Sequence, residues 1–390
     1  ESRIIGPMEL TKPVKGDNLY LTINKDVQLK TQQAIMDHLQ FMKEAPRSSL
    51  FYEGHQATTG YAVAMEVKTG KVIAMASMPD YDPNLWQGGI SAKDYEAVRF
   101  FTSNGAIREV QAPYEDDKER AKHPSSLVFL GSTQKPLTIL VGLAEKLITP
   151  TSTMNDPGYF AFGAKGHETR VRNSFNAANG LLNPSTAITK SSNAFMAAMV
   201  GNALYLRDGE KGVDIWDSYM KQFGLGVTTG SGLPGESKGD INYYTEMKRG
   251  SAQSALIYAS FGQQGRYTAL QLAQYAATLA NRGVRMKPQF VDRITDAMGN
   301  TVQTYQPEVL NTVQFPDVYW ETIEKGMANV QVQGFEGFPY KFMRKTGTSE
   351  QGVAGQLVEN GVFIAYAPAE DPVLAVAVVV PEGGFGGWAA

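Results

Sequence analysis

Ser132 and Lys135 stand three residues apart in GSTQKP, directly after Gly131 and ahead of the apolar run LTILVGLAEKL. Residues three apart on a helix share a face, so this hydroxyl and this amine can meet. A serine is a weak nucleophile until a base takes its proton. An amine serves as that base only when burial or a neighbouring cation lowers its pKa. A second lysine converging on the pair would supply that cation, and RKTGTSE offers one at Lys345. A serine at a helix start also has unpaired backbone N–H groups and the positive end of the helix dipole beside a developing oxyanion. The chemistry indicated is acyl transfer through a serine ester.

Short patterns of this kind recur along the chain, and context has to separate the copies. The serine–lysine spacing returns at Ser218–Lys221 in DSYMK, where Trp216 and Phe223 mark a helix whose surface would carry Ser218. Ser-x-Asn occurs at Ser174–Asn176, among Asn and Gly in a loop, and again at Ser191–Asn193 in TKSSNAFM. Lys-Thr-Gly occurs at 68–70 and at 345–347. In the first copy, MEVKTGKVIAM, alternating residues flank Thr69-Gly70, which predicts a tight β-hairpin with Lys68 and Lys71 as solvated turn flanks. The second copy lies on a strand, where Gly347 would let a ligand approach the backbone closely. Ser132, Ser191 and Lys345 are therefore the chemical set.

Positioning such a set takes a large folded unit, and the chain has the material. Its 390 residues are 43% hydrophobic with a net charge of -3, enough for one large or two ordinary domains and without electrostatic reason for a nucleic-acid partner. Cysteine is absent, which excludes disulfides, thiolate metal sites and a cysteine nucleophile. The longest apolar run, VLAVAVVV, has eight residues, far short of the roughly 20 of a spanning helix. Residues 1–16 read as an irregular linker, NLYLTI as a strand, and the stretch from Asp26 as a helix with Thr31, Ile35, Leu39 and Met42 on one face. A charged excursion covers 90–125. Helical patterns dominate from about 132 to 285, including TAITKSSNAFMAAMVGNAL as one run, and Gly283 marks a helix end. Three strand-like runs close the chain: KFMRKTGTS, GVFIAYAP and VLAVAVVV. Strands at both sequence ends with helices between predict an α/β sheet whose ends meet.

Two other patterns carry little weight. GSGLPG at 230–235 matches a dinucleotide glycine pattern but has no preceding strand, and Pro234 interrupts the turn. His38, His55, His123 and His167 show no metal-ligand spacing and read as surface or core residues. No GxSxG elbow is present.

Taken together, GSTQKP, TKSSNAFM, GLPGES, FGQQGRYTALQLAQYAATLANRG, RKTGTSE and LAVAVVVPEGGFGGWAA resemble the transpeptidase domain of class B penicillin-binding proteins, of Gram-positive type, over about residues 17–390. The resemblance implies the penicillin-binding and serine β-lactamase-like fold: a five-stranded antiparallel sheet flanked by helices, with a helical subdomain at roughly 130–285 carrying the first two motifs. It implies D,D-transpeptidation of peptidoglycan stem peptides, covalent acylation by β-lactams, and no cofactor or metal. In the roles so implied, Ser132 attacks and Lys135 takes its proton. Ser191 relays a proton to the leaving amine, and Asn193 holds the substrate amide and orients Lys135. Lys345 supplies positive potential, Thr346 and Thr348 meet the substrate carboxylate beside Gly347, and the N–H groups of Ser132 and Thr348 form the oxyanion hole. A membrane glycosyltransferase of the shape and division family is the implied partner. The implied location is the extracytoplasmic face of the bacterial membrane, with an anchor upstream.

The chain departs from the family pattern in Leu130 before Gly131, in Gln134, in the lack of a recognisable Asn-Arg-Ala segment, and in the absence of a last helix after GGWAA, which would leave one sheet flank bare. Competing readings are a serine β-lactamase, which needs a carboxylate or modified lysine to activate water, a non-enzymatic β-lactam sensor, and a carboxypeptidase.

Overall fold

The computed structural model describes residues 13–390; all but the last four residues of the expected linker at 1–16 lie outside the described residues. Five strands form the central sheet: β1 (Gly60–Glu66), β2 (Val72–Met78), β3 (Met343–Val353), β4 (Gln356–Ala367) and β5 (Leu374–Val380). Their order is β3-β4-β5-β1-β2 and every neighbouring pair is antiparallel. The two sequence ends meet where β5 pairs with β1.

Strand alternation decides what each face covers. Tyr61, Val63 and Met65 pair opposite Val379, Ala377 and Ala375, which in turn face Val362, Ile364 and Tyr366 on β4. All nine belong to the main apolar core. A one-residue slip would turn this set to the opposite face, so burial fixes the register. The opposite face, through Ala62, Ala76 and Val380, packs against Ile35, Leu39 and Met42 of α1 (Lys25–Glu44). The side chain of Asn24 caps α1 by accepting from the N–H groups of Asp26 and Val27.

Between β2 and β3 the chain is largely helical. Those that position the site are α2 (Lys135–Ala144), α3 (Pro184–Thr189), α4 (Asn193–Met196), α5 (Ala252–Ser260), α6 (Ala269–Ala280) and α7 (Asp317–Ala328). Every residue of α6 is buried, and it packs on β5, β1 and β4. Its apolar residues fill the core, and its buried Gln271, Gln274 and Thr278 are satisfied by donating to Val227 O, to Thr229 O and Met286 O, and to Gln274 O. The capping box of Thr268 and Gln271 fixes its start.

Three expectations need correction. The NLYLTI strand forms at Asn18–Leu21 but joins a small separate sheet with Val291–Thr295 and Thr301–Thr304. The run TAITKSSNAFMAAMVGNAL is not one helix: it breaks between α3 and α4, and continues past Met196 as a π turn over Ala197–Asn202. The turn at Thr69-Gly70 exists, with Gly70 at φ +78°, but only one of its two lysines is a solvated flank. Lys68 is exposed as expected, donating to Asn281 at 3.1 Å, whereas Lys71 is half-buried and pairs with Asp292 at 2.8 Å because the loop docks on the strand that follows Gln289. Beside α1, an apolar groove of about 800 Å³ is floored by Val376, Val378 and Val380 and walled by Phe335 and Trp388. Among the described residues, no helix is long and apolar enough to cross a membrane.

Candidate active site

Gly131–Gln134 forms a 3₁₀ turn that runs directly into α2. Gly131 has φ +53°, donates its N–H to Gly262 O at 2.9 Å, and would place a Cβ 2.4 Å from Thr348 O. A Cβ at Gly347 would fall 2.6 Å from Leu130 O. The turn carrying Ser132 is thus stacked backbone against backbone on β3, and only glycine fits at either position. Tyr275 on α6 donates to Thr133 O at 2.9 Å and holds the turn from below. Gln134 is buried, and its Nε2 has no hydrogen-bond partner.

Lys135 is fully buried and donates to Asn193 Oδ1 at 2.7 Å, Ser191 O at 2.6 Å and Ser191 Oγ at 3.1 Å. Lys345, 1% exposed on β3, donates to the same Ser191 Oγ at 3.0 Å and to Thr346 O at 2.9 Å. Ser191 itself has φ +54°, a left-handed conformation that costs a non-glycine residue on the order of 1–2 kcal/mol and is characteristic of functional sites. Asn193 is fixed at its other end by donating to Arg172 O at 2.8 Å.

Electrostatics follow from burial. Desolvation, reinforced by the charge of Lys345 and opposed by Asp156, holds the Lys135 ammonium well below its usual pKa. Burial lowers Lys345 to about 7. Two dry amines sharing one hydroxyl titrate as a pair. With one amine neutral, Ser191 O–H can donate to it while accepting from the other, which makes a short proton path.

Above the two buried lysines and Ser191 opens a cleft of about 690 Å³ lined together by Ser132, Asn193 and Thr348, with Arg170, Arg172, Glu350 and Glu359 also in its lining. No carboxylate hydrogen-bonds Ser132 or Lys135 among the described residues. Thr346 and Gly347 do not line the cleft; the Thr348 hydroxyl accepts the Gly386 N–H at 3.0 Å. The alternative copies separate as the sequence implied. Ser218 sits exposed on a helix of its own, where Lys221 pairs with Asp217, and 230–235 is loop. The Ser174 turn, however, lines the cleft. Sequence reasoning also missed Asp156, Asn173 and Gly386; RVRN and DPG were visible signals, but neither has motif-like spacing to the serine. No cluster of three or more potential metal-ligating side chains is present among the described residues.

Comparison with known proteins agrees with this geometry. The family described as Penicillin binding protein transpeptidase domain matches residues 60–390. Penicillin-binding protein 2A of Bacillus subtilis is 30% identical over 98% of this chain and 51% of its own length. The peptidoglycan D,D-transpeptidase MrdA of Acinetobacter baumannii is 27% identical over 100% of this chain and 54% of its own. The chain thus spans about half the length of these curated relatives. Among solved structures, penicillin-binding protein 2B of Streptococcus pneumoniae superposes with a TM-score of 0.72 at 26% identity, covering 94% of this chain and 56% of that one. A ceftriaxone acyl-enzyme complex of penicillin-binding protein A from M. tuberculosis gives 0.73 at 26% identity, covering 96% and 77%. The chain belongs to the penicillin-binding protein transpeptidase family, as a class B member.

Proposed function

We propose that this chain is the transpeptidase unit, over about residues 17–390, of a peptidoglycan D,D-transpeptidase, and that it works through a Ser132 acyl-enzyme. The observation that carries the reading is the convergence of Lys135 and Lys345 on Ser191 Oγ, at 3.1 and 3.0 Å, beneath a cleft that exposes Ser132. Neutral Lys135 takes the Ser132 proton as Oγ attacks the penultimate D-Ala carbonyl of a stem peptide. The backbone N–H groups of Ser132 and Thr348 receive the oxyanion. As the C–N bond breaks, the proton passes by way of Ser191 to the leaving nitrogen, and D-Ala departs. The amine of a second stem peptide then attacks the ester, gives up a proton to the same relay and regenerates Ser132. Asn193 orients Lys135 and the substrate amide. Lys345 supplies positive potential from beneath, and of the Lys-Thr-Gly-Thr hydroxyls it is Thr348, which lines the cleft, that meets the substrate carboxylate.

A β-lactam enters the same sequence as far as the ester. Its ring opens, the proton goes to the ring nitrogen, and no fragment leaves to make room for an acceptor. Deacylation by water needs a positioned base, and such a base typically contributes about 10²–10⁴-fold. For the whole protein we assign the extracytoplasmic membrane face and a membrane glycosyltransferase partner. Labelling with a fluorescent penicillin, lost in Ser132→Ala and kept in Ser218→Ala, tests the reading.

A further inference from the structure

We propose that Asp156, which belongs to none of the three motifs, is a positioning residue for acyl transfer: it clamps the turn that presents Ser191 and supplies the buried negative charge behind Lys135. The inference rests on the serine–lysine reading above. Asp156 is 1% exposed, touches neither lysine, and does not line the cleft. Its carboxylate accepts four hydrogen bonds, from Gly158 N at 2.8 Å, Asn173 Nδ2 at 2.8 Å, Asn179 Nδ2 at 2.8 Å and Ser192 Oγ at 2.7 Å.

Two of those donors continue into the turn. The Ser192 Oγ accepts from Phe195 N at 2.9 Å and so caps α4, while the Asn173 Oδ1 accepts from Ala194 N at 3.0 Å. The carboxylate therefore grips the start of α4 from both sides, directly beside Ser191 with its left-handed backbone. The helix that begins at α4 runs on through the π turn to Asp208, so what the clamp fixes is its first turn, whose N–H groups have no intrahelical partner. Released, Ser191 would relax out of the left-handed region and carry its Oγ away from both amines.

The charge argument is separate from the clamp. Lys135 and Lys345 are both buried, and among the described residues neither hydrogen-bonds a carboxylate. The groups facing Lys135 are Ser191, Asn193, the Lys345 ammonium on β3 and, one residue layer away, Asp156. The groups facing Asp156 are the neutral donors named above. Burial pushes the Asp156 carboxyl up, but its hydrogen bonds outweigh that and hold it below the ordinary range, so it is ionised at neutral pH. A buried anion there favours the protonated form of Lys135, and a relay through Ser191 needs one protonated amine.

The test is the rate of acylation by a fluorescent penicillin from about pH 5 to pH 10, for the wild-type chain, Asp156→Asn and Ser192→Ala. Asp156→Asn removes the charge in nearly the same volume. Its rate is expected to fall by on the order of tenfold or more, as for loss of buried charged hydrogen bonds. Its acidic limb is expected to move to lower pH, because Lys135 gives up its proton more readily without the anion. Ser192→Ala leaves the carboxylate and cuts the tighter of its two links to α4, the other running through Asn173; its rate is expected to fall with the limb unmoved. A wild-type rate in either folded variant overturns the clamp. A slower Asp156→Asn with an unmoved limb overturns the counter-charge. If Asp156→Asn does not fold, Ser192→Ala decides: a slowed rate supports the clamp and a wild-type rate overturns the proposal. Failure of the underlying reading would look different, since the wild-type chain itself would take no label at Ser132.

Discussion

The backbone N–H of Gly386 donates to the Thr348 hydroxyl at 3.0 Å, and a Cβ at Gly386 would lie 1.9 Å from Gly347 O. The segment after β5 is thereby stacked on the Lys-Thr-Gly strand from the side opposite to the Ser132 turn. It is anchored further back by Glu382, whose carboxylate lies 2.7 Å from His123 Nδ1 in a buried pair. The Gly386 contact with β3 leaves no room for a side chain.

Gly386→Ala is therefore expected to push this segment off β3. Overpacking of this kind costs about 1–3 kcal/mol, and the displaced Thr348 should slow acylation as well. Urea denaturation together with penicillin labelling checks both; an unchanged midpoint and rate would show that the backbone yields without cost.

The two Lys-Thr-Gly copies should behave differently. Lys345→Ala removes one of the two amines on Ser191 Oγ and is expected to slow acylation by on the order of a hundredfold, as loss of preorganised charge does. Lys68 is exposed and donates only to Asn281, so Lys68→Ala should keep the rate within about twofold. Stopped-flow acylation rates for the two variants, side by side, would contradict this if they fell equally.

Burial of Lys345 should also appear in stability against pH. Its folded pKa, about 7, lies below its ordinary 10.5. Between those values the unfolded chain binds more protons than the folded one, so stability rises with pH across that window, and the burial penalty is fully present below it. The wild-type unfolding free energy should therefore climb from pH 7 to pH 9 more steeply than that of Lys345→Met. Parallel profiles would mean that Lys345 keeps an ordinary pKa in the fold.

Much of this was legible before any coordinates. All five strands announce themselves by alternation or by unbroken apolar runs, α1 by helical periodicity, and α6 by its helical pattern and the Gly283 that follows it. Lys345 could be preferred to Lys68 because turn chemistry accounts for one copy and not for the other. What periodicity could not show is the break in the helical pattern at Ser191. The local sequence is compatible with helix; at the break Ser192 caps the next segment, while Asp156 and Asn173, distant in sequence, hold Ser192 and the Ala194 N–H. Phe175 and Asn176, both left-handed, were hidden for the same reason: loop geometry set by long-range contacts leaves no period. The docking of Lys71 on Asp292 depends on an ion pair across 221 positions, which no local pattern encodes.

The most direct measurement is intact mass after incubation with penicillin, followed for hours, on the wild-type chain and on Ser132→Ala. Expected is one drug per wild-type chain, persisting for many minutes to hours because among the described residues no carboxylate hydrogen-bonds Ser132 or Lys135, and no adduct on Ser132→Ala. An adduct on Ser132→Ala, or free drug consumed over many turnovers with no lasting adduct on the wild-type chain, would contradict a Ser132 acyl-enzyme built to wait for an amine.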